Sequence, residues 1–135
     1  MIQRLSHATV YVLDQEAAKN FYVDKLGFEV REDENMGPFR WLTVAPKGQK
    51  DLELVLIPIM PSPMLGEDDV ASLRSLLHKG ALGVSILLTD DCKATYEELK
   101  AKGVQFTAAP AERPYGLEAM MKDDSGNVYS IVQRR

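Results

Sequence analysis

The chain has 135 residues, 45% hydrophobic and 27% charged, with 16 Lys and Arg against 20 Asp and Glu, a net charge of −4. That is one domain's worth of chain with enough length for a real core, and the lack of any basic cluster argues against nucleic acid as a partner. One cysteine cannot close an internal disulfide, which fits a reducing cytoplasm; the start "MIQRLSHATV" carries no leader pattern and no apolar run is long enough to span a membrane.

Alternation and β-forming residues predict a first strand over Ile2–Leu13. Asp14 is placed to cap a helix whose apolar stripe is Ala18, Phe21, Tyr22 and Leu26, and Gly27 is placed to end it. "FEVRED", "FRWLTVAP" and "LELVLIP" read as three further strands, separated by the turn "NMGP" and the loop "KGQKD". The prolines of "IPIMPSP" forbid regular pairing, so a linker follows. It leads into a short helix with Val70, Leu73, Leu76 and Leu77 on one side, started by the acidic "GEDD" and closed by Gly80.

The order then repeats. "LGVSILLT" is a strand, Asp90 and Asp91 precede a helix carrying Cys92, Tyr96 and Leu99, and Gly103 stops it. "VQFT" is a strand, "AAPAERPYG" a loop, "LEAMMK" a strand, "DDSGN" a tight turn and "VYSIVQ" the last strand. The prediction is therefore α+β: two tandem βαβββ modules, residues 1–58 and 81–135, joined by a linker and helix at 59–80. An offset of 77 superposes Asp14 on Asp91, and an offset of 76 superposes Gly27 on Gly103.

The segments "HATVYVLDQEAAKNFYVDKLGFEV", "TDDCKATYEELKAKGVQF" and "DDSGNVYSIVQ" together resemble the vicinal oxygen chelate superfamily. That superfamily includes glyoxalase I, extradiol dioxygenases and bleomycin-binding proteins. The resemblance spans nearly the whole chain. It implies a single glyoxalase/bleomycin-resistance-like domain over 1–135, with mixed sheets curled around a shared cavity, and it implies a homodimer. In metal-using relatives a histidine opens each module and a glutamate sits in its final strand. His7 and Glu53 match the first pair; the offset of 77 puts Val84 and Ser130 where the second pair belongs. Valine cannot donate to a metal and a serine hydroxyl is a poor ligand. His7 and Glu53 alone fall one short of the three protein ligands of a catalytic zinc site. No cofactor is therefore expected, with His7 and Glu53 left as the only metal ligands on offer.

Alternation puts His7, Thr9 and Tyr11 on one face, and Val84, Ile86 and Leu88 on another, so one wall is polar and the other apolar. That is the make-up of a small-molecule site. His7 and Glu53 can serve as an acid–base pair or as pocket wall. Trp41 can stack on a ligand or pack in the core. Arg113 and Tyr115, in "ERPYGLEA", sit where relatives border the pocket mouth, and Arg113 can hold a carboxylate or phosphate. Glu118 in the next strand is left open, and Cys92 reads as packing. Two functions follow. The preferred one is a small-molecule-binding protein lined by Tyr11, Trp41, Val84, Arg113, Tyr115 and Ser130. The alternative is a glyoxalase-type lyase or isomerase using His7 and Glu53.

Overall fold

The computed structural model describes all residues, Met1–Arg135. Eight strands and three α-helices run in the order β1 (His7–Val12), α1 (Gln15–Asn20), β2 (Phe28–Met36), β3 (Phe39–Pro46), β4 (Glu53–Pro58), α2 (Glu67–His78), β5 (Val84–Leu88), α3 (Cys92–Ala101), β6 (Gln105–Arg113), β7 (Gly116–Lys122) and β8 (Val128–Arg134). The strands form two open four-stranded mixed sheets, ordered β1-β4-β3-β2 and β5-β8-β7-β6. Each is a βαβββ module with one parallel pair, β1 with β4 or β5 with β8, and two antiparallel pairs. This is the glyoxalase/bleomycin resistance fold. The chain divides into two compact units, Met1–Arg74 and Ser75–Arg135.

The first unit is built as its sequence directs. The Asp14 side chain accepts from the Ala17 amide at 2.9 Å and so starts α1. The helix changes to a π-helical turn over Phe21–Lys25, and Gly27, at φ 74°, takes the left-handed conformation that ends it. Ala18, Phe21 and Tyr22 are buried, joined in the core by Leu42, Val44 and Leu56 of the sheet. The first strand starts at His7 rather than Ile2, because its only partner, β4, begins opposite it at Glu53. Residues 1–5 are exposed.

In the second unit Asp91 repeats the cap, accepting from the Ala94 amide at 3.0 Å. Cys92 and Leu99 are buried, as the helical spacing requires. The segment read as a loop, "AAPAERPYG", is mostly strand: β6 continues to Arg113. Proline is tolerated there because β6 is the sheet's edge, and the register shifts twice between Phe106 and Ala111, around Pro110. The turn before β8 is closed by the Asp123 carboxylate, which accepts from the amides of Ser125, Gly126 and Asn127. Gly126 lies so close to the Leu77 carbonyl that a Cβ would sit 2.2 Å from it.

Candidate functional site

One face of the first sheet gathers polar side chains from all four strands. Glu53 lies opposite His7 across the parallel β1–β4 pair. Thr43 lies opposite Val55, two residues along the same face from Glu53. Glu32 lies opposite Thr43. The row is tied by hydrogen bonds: the Thr43 hydroxyl donates to Glu53 Oε1 at 2.7 Å and accepts from the Glu32 amide at 3.0 Å. The Trp41 indole N–H donates to Glu32 Oε1 at 3.3 Å, and its ring lies 5.7 Å from the His7 ring, tilted by 52°. Trp41 therefore belongs to the site face and not to the core.

His7 bonds at one ring nitrogen only. Nδ1 meets the Ser6 hydroxyl at 2.8 Å. Nε2 is buried, has no hydrogen-bond partner, and faces Glu53 Oε1 at 3.7 Å. That gap is too long for a hydrogen bond.

Glu32 is absent from the sequence reading for a specific reason. Simple alternation groups it with Phe28 and Val30. A β-bulge between Val30 and Glu32 adds one residue, so Glu32 instead of Arg31 comes to oppose Thr43. The bulge replaces a cation on this face by a carboxylate.

The matching face of the second sheet is different in kind. Val84, Ile86 and Leu88 present an aliphatic stripe that is 56%, 66% and 58% exposed. Together with Tyr115, Glu118, Met120, Ser130, Val132, Arg134 and Arg135 they line a cavity of about 680 Å³. Pairing places them on one face: Ile86 opposes Ser130, Leu88 opposes Val132, and on β7 Met120 and Glu118 oppose Ser130 and Val132. The sequence offset paired Val84 with Ser130; the register puts Ile86 there, and Val84 opposite Val128. Both are aliphatic, so the wall keeps its character.

Glu118 is the cavity's anion. It accepts a short hydrogen bond from the Ser130 hydroxyl. Tyr115 bonds to it as well, and the Arg113 guanidinium lies 3.6 Å away. Ser130 foremost, then Tyr115 and Arg113, hold its carboxyl below the ordinary value of 4.5 against the opposing effect of burial. The Glu118 bond in turn pushes the Tyr115 phenol upward. Arg113 is thus paired with Glu118, and its side chain remains 51% exposed. Among the expected site residues, Val84, Tyr115 and Ser130 are gathered at this cavity, and His7, Glu53 and Trp41 at the first sheet. Tyr11 is partly buried on the His7 strand, opposite Ile57. Cys92 is buried at the start of α3, and burial raises its thiol pKa, as a packing residue requires.

Two open sheets of this topology, one bearing a His–Glu pair and the other an apolar cavity, define the class. The chain belongs to the Glyoxalase/Bleomycin resistance protein/Dioxygenase superfamily, whose family model matches residues 4–131. The crystal structure of UcmS2 is similar at a TM-score of 0.93, with 48% identity over 98% of this chain and 99% of that one. TnmS3, an antibiotic binding protein from Streptomyces sp. CB03234, is similar at a TM-score of 0.79, with 35% identity over 99% of this chain and 98% of that one. YetH of Bacillus subtilis (strain 168) is 35% identical over 98% of this chain and its own full length.

Proposed function

We propose that this protein binds a small, largely apolar molecule in the cavity of its second module and sequesters it. The observation that carries the reading is the aliphatic stripe Val84, Ile86 and Leu88, left exposed at a cavity of about 680 Å³ with one fixed carboxylate. Exposed apolar patches of this kind mark ligand or partner sites, and an apolar pocket with few polar groups suits a drug-sized ligand. Glu118 accepts hydrogen bonds, so the ligand is expected to present a hydroxyl or amine to it. The likeness to an antibiotic binding protein supports an antibiotic as the ligand class. The same reading has the protein acting as a homodimer in a reducing cytoplasm. Its one cysteine is a buried free thiol, and no helix is long and apolar enough to cross a membrane.

The test is thermal unfolding across a panel of apolar antibiotics, for wild type and Ile86→Asp. A ligand at one hundred times its Kd adds about 2.7 kcal/mol, worth about 8–10 °C in Tm for a chain of this size. The shift should occur with wild type and vanish in Ile86→Asp. Equal shifts in both proteins would sink the reading.

A second reading, a lyase or isomerase of glyoxalase type, draws on the approach of His7 Nε2 to Glu53 at 3.7 Å. Its requirement is that His7→Ala abolish turnover of a substrate while leaving cavity binding intact.

A further inference from the structure

The cavity of the second module carries a cation that nothing in the protein neutralises. Arg113 pairs with Glu118, and Arg135 pairs with Glu112. Arg134, which lines the same cavity, makes no ion pair or side-chain hydrogen bond. Every other arginine of the chain is engaged by a carbonyl or a carboxylate. Arg134 also borders two smaller cavities, of about 530 and 370 Å³. Asp90 shares the first of these with it and lies beyond ion-pair distance.

The sheet register explains why Arg134 is left alone. Its partner on β7 is Gly116, and the β5 register ends earlier, at Leu88 opposite Val132. Gly116 has no room for a side chain that could reach the guanidinium. Its φ is 147°, and a Cβ there would lie 2.1 Å from the Gln133 carbonyl oxygen. The strand neighbours of Arg134 therefore bring no anion to it. Ser130, Val132 and Arg134 alternate onto one face of β8, so the exposed guanidinium stands at one end of the apolar floor.

We propose that the ligand of this cavity is an organic anion: an apolar body with one oxyanion, a carboxylate or sulfonate, held by Arg134. This rests on the cavity-binding reading above and adds the ligand's charge to it. The planar fork of a guanidinium matches two oxygens of such a group. Glu118 lies one strand pair away, opposite Val132, about 7 Å along the sheet. Its carboxylate is taken up by Ser130, Tyr115 and Arg113, which blunts its repulsion of an anion. The ligand's oxyanion and its hydroxyl or amine thus meet different ends of one floor.

The experiment titrates the full chain with two fluorescent probes, anilinonaphthalene sulfonate and its parent phenylnaphthylamine. They share an apolar body and an amine and differ by the sulfonate. Wild type, Arg134→Gln, Arg134→Lys and Ile86→Asp are compared at about 0.15 M salt. Far-UV circular dichroism and Tm without probe confirm that each variant is folded. Wild type should bind the sulfonate more tightly than the neutral parent. Arg134→Gln should weaken the sulfonate about tenfold and leave the parent unchanged. Arg134→Lys should recover part of that loss, and Ile86→Asp should weaken both probes. Equal affinity of wild type for the two probes would overturn this inference. So would an unchanged sulfonate affinity in Arg134→Gln, or an equal loss of both probes there. If Ile86→Asp still weakens both probes in those cases, the cavity reading stands without the anion. Failure of Ile86→Asp to weaken either probe would overturn the cavity reading and this inference with it.

Discussion

The two modules share a backbone plan and differ along one row of side chains. In the first, the row across β2, β3, β4 and β1 reads Glu32, Thr43, Glu53, His7. In the second, the equivalent row across β6, β7, β8 and β5 reads Ala111, Glu118, Ser130, Ile86. Both keep a hydroxyl bonded to a carboxylate at the centre, but with the strands exchanged: Thr43 donates to Glu53, whereas Ser130 donates to Glu118. The outer positions decide the character. Histidine and glutamate make the first row a donor set; isoleucine and alanine make the second an apolar wall around one anion. The two rows thus differ in character through their two outer positions, while a hydroxyl–carboxylate hydrogen bond is kept at the centre of both.

The contrast breaks hardest at Ile86. Ile86→Asp puts a charge on the apolar wall and should lower affinity for an apolar ligand about a hundredfold, from the unfavourable transfer of a carboxylate into that wall. Because Ile86 is 66% exposed, stability should change by no more than about 0.5 kcal/mol, read by urea unfolding.

Glu118→Gln sharpens the contrast from the polar side. It removes the anion but keeps the shape, and should cost about tenfold in affinity for a ligand bearing a hydroxyl or amine. Loss of a hydrogen bond to a charged group, about 1.5–3 kcal/mol, is partly offset by the amide oxygen that remains. A ligand lacking such a donor should not register the change.

Acid provides the third probe. The Glu118 carboxyl is held below its ordinary 4.5 in the folded state, chiefly by Ser130. The unfolded chain therefore takes up a proton there first as pH falls. The stability that this carboxylate contributes is complete above 4.5 and is lost as pH drops toward the lowered folded value. Urea midpoints of wild type and Glu118→Gln should differ most at neutral pH and converge as the pH falls below 4.5. A gap that stays constant across that range would contradict the assignment.

The smallest effect is expected at Arg113. Its guanidinium meets Glu118 at 3.6 Å but its side chain is 51% exposed, so Arg113→Ala should cost well under about 1 kcal/mol. Its effect on ligand affinity should fall with added salt.

Much of this was legible in the sequence. Asp14 and Asp91 announce both helices, and the repeated strand pattern announces both sheets. His7 and Glu53 were found because they match the opening histidine and final-strand glutamate of the superfamily that the chain resembles, and the parallel β1–β4 pairing sets them side by side. What escaped depends on departures from regular alternation. The bulge that turns Glu32 toward Thr43 leaves no trace in the residue pattern of "FEVRED". The irregular register of β6 hid a strand behind Pro110. The helix-cap offset of 77 put Val84 in the place that Ile86 occupies, because the β5–β8 register runs two residues further along than the caps imply. Glu118 could not be weighed at all until Ser130 and Arg113 were seen to converge on it.

The central claim is that the apolar ligand lies in the second module and not on the histidine face of the first. Amide chemical-shift mapping of the full-length protein, titrated with an apolar antibiotic that raises its Tm, tests this directly. The account predicts the largest shifts at Val84–Leu88, Glu118–Met120 and Ser130–Val132, with His7, Trp41 and Glu53 unmoved. The largest shifts at His7, Trp41 and Glu53, with a quiet second module, would contradict it.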